Sequence, residues 1–189
     1  PILPDEGIDY TKEYDEIAYP RNSYDECVDY ISNELVKAAM LLEEARGPQD
    51  IVRPTRGAAL SLRSRVLLYA ASPLFNGKAP AEVIAALVDK SGKKLLSDTY
   101  DERKWAIAAA AAKDVIELGK YQLYVAYNSE GGSSLSDPAT ITPPDDEGTF
   151  HSNPWPKGWQ NIDPFKSYRA LFDGEASAYG NSEIIFTRG

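Results

Sequence analysis

Two tryptophans, Trp155 and Trp159, stand close together in a stretch where Pro154 and Pro156 bracket the first and Gly158 precedes the second. An indole offers a flat apolar face and one N–H donor, which complements the CH face and the hydroxyls of a sugar ring. Proline on both sides stiffens the backbone that carries such a ring. Phe150 lies just before the pair and Tyr168 just after it. Phe150, Trp155, Trp159 and Tyr168 are therefore the ligand-binding candidates of the chain. The same indoles equally suit the anchoring of a long loop onto helices, because aromatic side chains are commonly packing residues.

Other reactive side chains point to less. His151 is the only histidine, and alone it makes no metal site. Asp145, Asp146 and Glu147 supply oxygens, but without the spacing of a calcium loop, and they read as a solvated acidic turn. Cys27 is the only cysteine, so it forms no internal disulfide and belongs to no CxxC site. It falls mid-helix on an apolar face and is expected to be a small buried hydrophobe. Arg53, Arg56, Arg63 and Arg65 cluster in sequence and suit either a partner chain or pairing with helical carboxylates such as Asp29 or Glu34. No GxSxG, HExxH, P-loop or dinucleotide fingerprint is present. A pair of glycosidase carboxylates is a matter of geometry, not of composition. The expectation is a protein that is not an enzyme, with no catalytic residue, no metal and no cofactor.

Charge narrows the partners. The chain of 189 residues carries a formal net charge of -9. Such a field repels phosphate backbones and anionic membrane surfaces, so no nucleic-acid partner is expected. A neutral ligand, such as a sugar, meets no such penalty. With 43% hydrophobic and 26% charged residues, the chain suits one domain with an ordinary polar surface. No apolar run approaches the length of a membrane span. The sequence opens Pro1-Ile2-Leu3-Pro4 without Met, signal peptide or lipidation motif, and is expected to be an internal segment of a longer chain.

The expected architecture is mainly α: antiparallel helical hairpins of tetratricopeptide type with long irregular loops. Residues 1–22 hold three prolines and show no period, which predicts a loop packed on the domain. The first helix is expected over 23–46. Ser23 and Glu26 form a capping box, and Tyr24, Val28, Ile31, Leu35, Ala38, Leu42 and Ala45 make one apolar stripe. Gly47-Pro48 stops it. The second helix, over 55–76, is apolar nearly all round, the mark of an inner helix. Residues 77–100 connect, with a short helix over 81–88 and a turn at 90–93. The third helix is expected over 101–118, with Asp101 as N-cap and Gly119 at its left-handed end. Trp105, Ala108, Ala112, Val115 and Ile116 are its predicted buried face, Trp105 closing over the seam of the first two helices. The alanines from 108 to 112 allow a neighbouring helix to approach closely. No clean repeat at the ~34-residue period appears. Residues 125–165 hold six of the 13 prolines and form a long loop, whose aromatics favour a folded surface facing a ligand or partner. The last stretch, around 183–186, is expected to be an apolar anchor with a brief strand.

Four segments in order resemble the SusD/RagB family across nearly the whole chain. They are Pro20-Arg21-Asn22-Ser23-Tyr24-Asp25-Glu26 running into Ala38-Ala39, Thr55-Arg56-Gly57-Ala58-Ala59 continuing to Ser72-Pro73-Leu74-Phe75-Asn76, Lys104-Trp105 with Gly119-Lys120-Tyr121, and Leu171-Phe172 with Asn181-Ser182-Glu183-Ile184-Ile185-Phe186. The resemblance implies one SusD-like helical domain containing residues 1–189. It implies a non-catalytic protein that binds a glycan or other nutrient and serves as the lid of a SusC-like TonB-dependent transporter. It further implies a lipoprotein of the Bacteroidetes cell surface, held at the outer membrane by a lipid anchor absent from this sequence. The other open reading is a helical-repeat module that binds a protein partner through polar stripes such as Ser61, Ser64 and Arg65.

Overall fold

The structure is a computed structural model that describes residues 1–3, 7–127, 153–158, 160–177, 179 and 181–187. It is mainly α, with no strand among the described residues. The helices are α1 (Tyr14–Ile17), α2 (Tyr24–Leu41), α3 (Arg56–Ala71), α4 (Ala81–Ala86), α5 (Arg103–Glu117) and α6 (Pro164–Arg169), with a 3-10 turn at Pro48–Asp50. They fall into two compact units, Pro1–Gly119 and Lys120–Thr187. No helix among the described residues is long and apolar enough to cross a membrane.

In the first unit, local chemistry starts α2 and α3 where the sequence expects it, whereas α5 starts at Arg103 with Glu102, not Asp101, at its N-cap position. The Ser23 hydroxyl accepts from the Glu26 backbone N–H at 3.3 Å, and the Glu26 carboxylate accepts from the Ser23 N–H at 2.7 Å. Thr55 caps α3 by accepting from the Ala58 N–H at 3.3 Å. The Asp101 carboxylate accepts from the Arg103 N–H at 3.0 Å at the mouth of α5. Each bond satisfies a backbone donor that the first helical turn leaves without a partner.

The three long helices lie antiparallel in sequence order, with α3 in the middle. Tyr24 at the start of α2 stacks on Phe75 beyond the end of α3, with centroids 4.5 Å apart, while Arg56 at the start of α3 reaches Ala39 near the end of α2. Helix α3 packs on both α2 and α5, which confirms its expected inner position. Val28, Leu67, Ala70, Ala71, Ala108 and Ala111 form the buried cluster between them. Alanine on both α3 and α5 lets the backbones approach, as the alanine run predicts. Arg63 spans all three helices. Its Nε donates to the buried Ser32 hydroxyl on α2 at 3.1 Å, and its guanidinium pairs with Asp114 on α5 at 3.1 Å.

Helix ends and faces differ from the periodicity. Helix α2 stops at Leu41, not near Arg46. The reason is Arg56, whose Nε donates to the Ala39 carbonyl at 3.0 Å and whose guanidinium draws Glu44 to 2.7 Å. A cation on a free terminal carbonyl favours ending the helix there. The inner face of α2 is Val28, Ser32 and Ala39, which leaves Ile31 exposed. Helix α5 buries Ala108 and Ala111, whereas Trp105 is 40% exposed and Ile116 is exposed. Lys104 takes the inner position predicted for Trp105 because it meets Asp25 on α2 at 2.6 Å. Helix α3 ends at Ala71 rather than 76, α5 spans Arg103–Glu117, and α4 stops at Ala86. Cys27 is half-buried rather than buried.

The segment after α3 is a latch. Asn76 is fully buried. Its amide N–H donates to the Asp101 carbonyl at 2.9 Å, and its amide oxygen accepts from the Asp101 N–H at 2.9 Å. Gly77 has φ +69, and a Cβ there would meet Thr99 C and Tyr100 N at 2.3 Å. The chain leaving α3 thus grips the chain entering α5. Between them, α4 and the following residues bury Ala79, Ile84 and Leu96 in a second cluster against Tyr24, Phe75 and Leu87.

In the second unit, Asp163 caps α6 by accepting from the Lys166 N–H at 2.8 Å, with Pro164 at the first helical position. The Asp163 N–H donates to the Ala126 carbonyl at 2.9 Å, and Ala126 in turn donates to the Ser167 hydroxyl. Glu183 accepts from the Tyr124 N–H at 3.0 Å. The strand expected near 183–186 is absent. Those residues are held by a turn in which Asn181 accepts from the Glu183 and Ile184 N–H groups.

Candidate functional site

Two of the four sequence-predicted aromatics fall within the described residues. Trp155 is half-buried, and its backbone N–H donates to the Asn161 side chain at 2.8 Å. The turn around it is closed by Gln160 donating to Asn153 at 3.0 Å and by Gly158 donating to Pro154 at 3.1 Å. Tyr168 is 69% exposed and lies against Phe172 with ring centroids 5.1 Å apart. On the same short helix, the Arg169 guanidinium sits 5.8 Å from the Phe165 ring centre. No ring contact joins Trp155 to Tyr168 among the described residues. Phe150 and Trp159 lie outside the described residues, as do His151 and the acidic run 145–147 and most of the long loop.

A cleft opens in the first unit, where the sequence shows no period. One wall is Ile2, Tyr14, Ala18, Tyr19, Arg21 and Asn22, and the other is the turn from Val88 to Lys93, enclosing about 820 Å³. Asp89 builds the turn. Its carboxylate accepts from the Ser91 N–H at 2.8 Å, the Ser91 hydroxyl at 2.6 Å and the Lys93 N–H at 2.9 Å. The Ser91 hydroxyl and then the Lys93 N–H hold that carboxyl below its ordinary pKa. Gly92, at φ +84, supplies the turn's left-handed residue. The other wall is fixed by the Asn22 side chain, which accepts from the Ile2 N–H at 2.7 Å. Lys93 then bonds Glu26 at 2.7 Å. That ammonium and the Ser23 N–H lower the Glu26 pKa from 4.5 to about 2. The cleft therefore has a rigid floor with two tyrosines at its edge, Tyr14 74% exposed and Tyr19 40%. Its volume lies in the range of small-molecule sites. Sequence reasoning missed it. The available signal was the spacing of tyrosines between prolines in residues 1–22, followed by a turn of the chain that returns beside them.

A second concavity, of about 380 Å³, runs along α2 and α3 between Tyr24, Cys27, Ile31, Leu62, Val66 and Tyr69. It is almost wholly apolar in its lining side chains, with Arg65 at its rim. The other three arginines of the 53–65 cluster are committed to carboxylates: Arg53 to Asp50, Arg56 to Glu44 and Arg63 to Asp114. The expected pairing with helical carboxylates is met by Arg63 alone, through Asp114 on α5; Glu44 lies beyond the end of α2 and Asp50 in the 3-10 turn. Among the described residues no group of three or more His, Cys, Asp or Glu side chains is gathered where it would hold a metal ion.

The class defined so far is a mainly α protein built on three antiparallel helices clipped by Arg63 and latched by Asn76. Solved structures with this backbone include BT4246, a Bacteroides thetaiotaomicron protein, at 34% identity and TM-score 0.55, covering 62% of this chain and 21% of that one. Its selenomethionine form aligns at 38% identity and TM-score 0.48, over 55% of this chain and 18% of that one. The chain thus spans about a fifth of the length of the structures it matches. No protein-family model and no curated protein matches the chain.

Proposed function

We propose that this chain is part of a non-catalytic, SusD/RagB-type protein of a Bacteroidetes cell surface. It binds a glycan or other nutrient and works with a SusC-like TonB-dependent outer-membrane transporter in polysaccharide uptake, held to the membrane by a lipid anchor outside this segment. The observation that carries the reading is the set of four ordered segments that resemble the family. Three of them coincide with the α2 cap, the Asn76 latch and the start of α5. The similarity to a Bacteroides thetaiotaomicron structure supports the same source, and the tyrosine-edged cleft supplies a surface of the right chemistry. Deleting the parent gene in its own host is expected to abolish uptake of one polysaccharide, and the tagged full-length protein is expected to retain a TonB-dependent transporter on an affinity column. Wild-type uptake of every glycan together with an empty column contradicts the proposal.

The apolar groove on α2 and α3 favours one other reading, a helical module that takes up a peptide from a protein partner. Under that reading Arg65→Ala abolishes binding while Trp155→Ala and Tyr14→Ala leave it intact.

A further inference from the structure

The charges on the first-unit cleft run against the charge of the chain. The protein carries -9 overall, yet among the described residues the cleft is lined by Arg21, Lys90 and Lys93 and by one carboxylate, Asp89. That carboxylate is tied into its own turn through one oxygen, Oδ1, which accepts from the Ser91 and Lys93 N–H groups and the Ser91 hydroxyl. Lys93 is matched by Glu26. Arg21 and Lys90 remain, and neither makes an ion pair or a side-chain hydrogen bond among the described residues. Most other arginines of this unit are paired, and Arg21 and Lys90 place two uncommitted cations on the two walls of one cleft. Beside them, Tyr14 and Tyr19 provide exposed ring faces.

We infer that this cleft binds an acidic saccharide, with Arg21 and Lys90 meeting the carboxylate of a uronic acid and Tyr14 and Tyr19 taking the apolar face of its sugar ring. The inference rests on the glycan-binding reading and deepens it by naming the ligand class and the site. A guanidinium presents paired N–H donors in the plane of a carboxylate, and an ammonium serves as a mobile point charge. A neutral sugar would leave both cations facing only water and gain nothing from them. The long-range field of the chain disfavours anions, so the local pair acts as a filter: an acidic ligand is accepted where its charge sits between the two walls and repelled elsewhere.

The test is a calorimetric titration of the full chain with trigalacturonate, a glucuronate-bearing xylan oligosaccharide and a hyaluronan tetrasaccharide, each beside its methyl ester, which removes the charge alone. At least one acid is expected to bind about tenfold more tightly than its ester. Arg21→Gln and Lys90→Gln are each expected to weaken that acid about fivefold, the order of an exposed ion pair, and to leave the ester unchanged. Circular dichroism verifies that both surface variants keep the wild-type helix content. If every acid binds no better than its ester, or if both variants bind the acid as the wild type does, the acidic-saccharide assignment is overturned while glycan binding stands. Absence of heat with all six ligands and with neutral oligosaccharides overturns the glycan reading as well.

Discussion

At the scale of the residue, Glu26 joins two structures with one carboxylate. It closes the cap of α2 through the Ser23 N–H and holds the cleft turn through Lys93. Both bonds favour the ionised form, the Lys93 bond contributing the larger lowering, and the pKa falls from 4.5 to about 2. A folded-state pKa below the unfolded one stabilises the fold fully above about pH 4.5, and that contribution is lost as the pH falls toward 2. Glu26→Gln is therefore expected to lower Tm at pH 6 and to melt with the wild type near pH 2. Thermal scans across that range check it. An equal Tm at pH 6 contradicts the double role.

At the scale of the element, Asn76 and Gly77 decide how α3 meets α5. Removing the Asn76 amide leaves the Asp101 N–H without a partner and its carbonyl with the Lys104 N–H alone, at a cost of about 2 kcal/mol for Asn76→Ala. Gly77→Ala is expected to cost more than about 2 kcal/mol, because a Cβ at positive φ would strike the Thr99 and Tyr100 backbone. Urea unfolding measures both, and an unchanged midpoint for Asn76→Ala removes the latch from the account. The sequence made the starts of α2 and α3 legible because Ser23 and Thr55 act on donors only a few residues away, while the N-cap expected at Asp101 falls at Glu102. It placed Asn76 only at the end of the expected second helix, because the partner at Asp101 is remote in sequence. The same distance hid the end of α2, set by Arg56, and the inner face of α5, where Lys104 displaces Trp105 toward solvent by meeting Asp25. The cleft was the least legible feature. Its walls come from an aperiodic segment and a turn far along the chain, and apolar periodicity carries no information about either.

At the scale of the whole molecule, the chain spans about a fifth of the structures it matches. The exposed Leu62, Leu68 and Tyr69 on the central helix α3 show how much apolar surface this segment alone leaves in contact with water. Fold alone assigns no ligand, since one helical scaffold serves many sites. The proposed capture of a glycan therefore rests on the surfaces described, foremost the cleft edged by Tyr14 and Tyr19 and then the turn that carries Trp155. Backbone amide chemical shifts of the full-length protein, recorded during addition of a saturating oligosaccharide mixture, test this most directly. The account predicts perturbations concentrated at residues 14–22 and 88–93. A spectrum unchanged by every oligosaccharide, or changes confined to the α2–α3 groove, contradicts it.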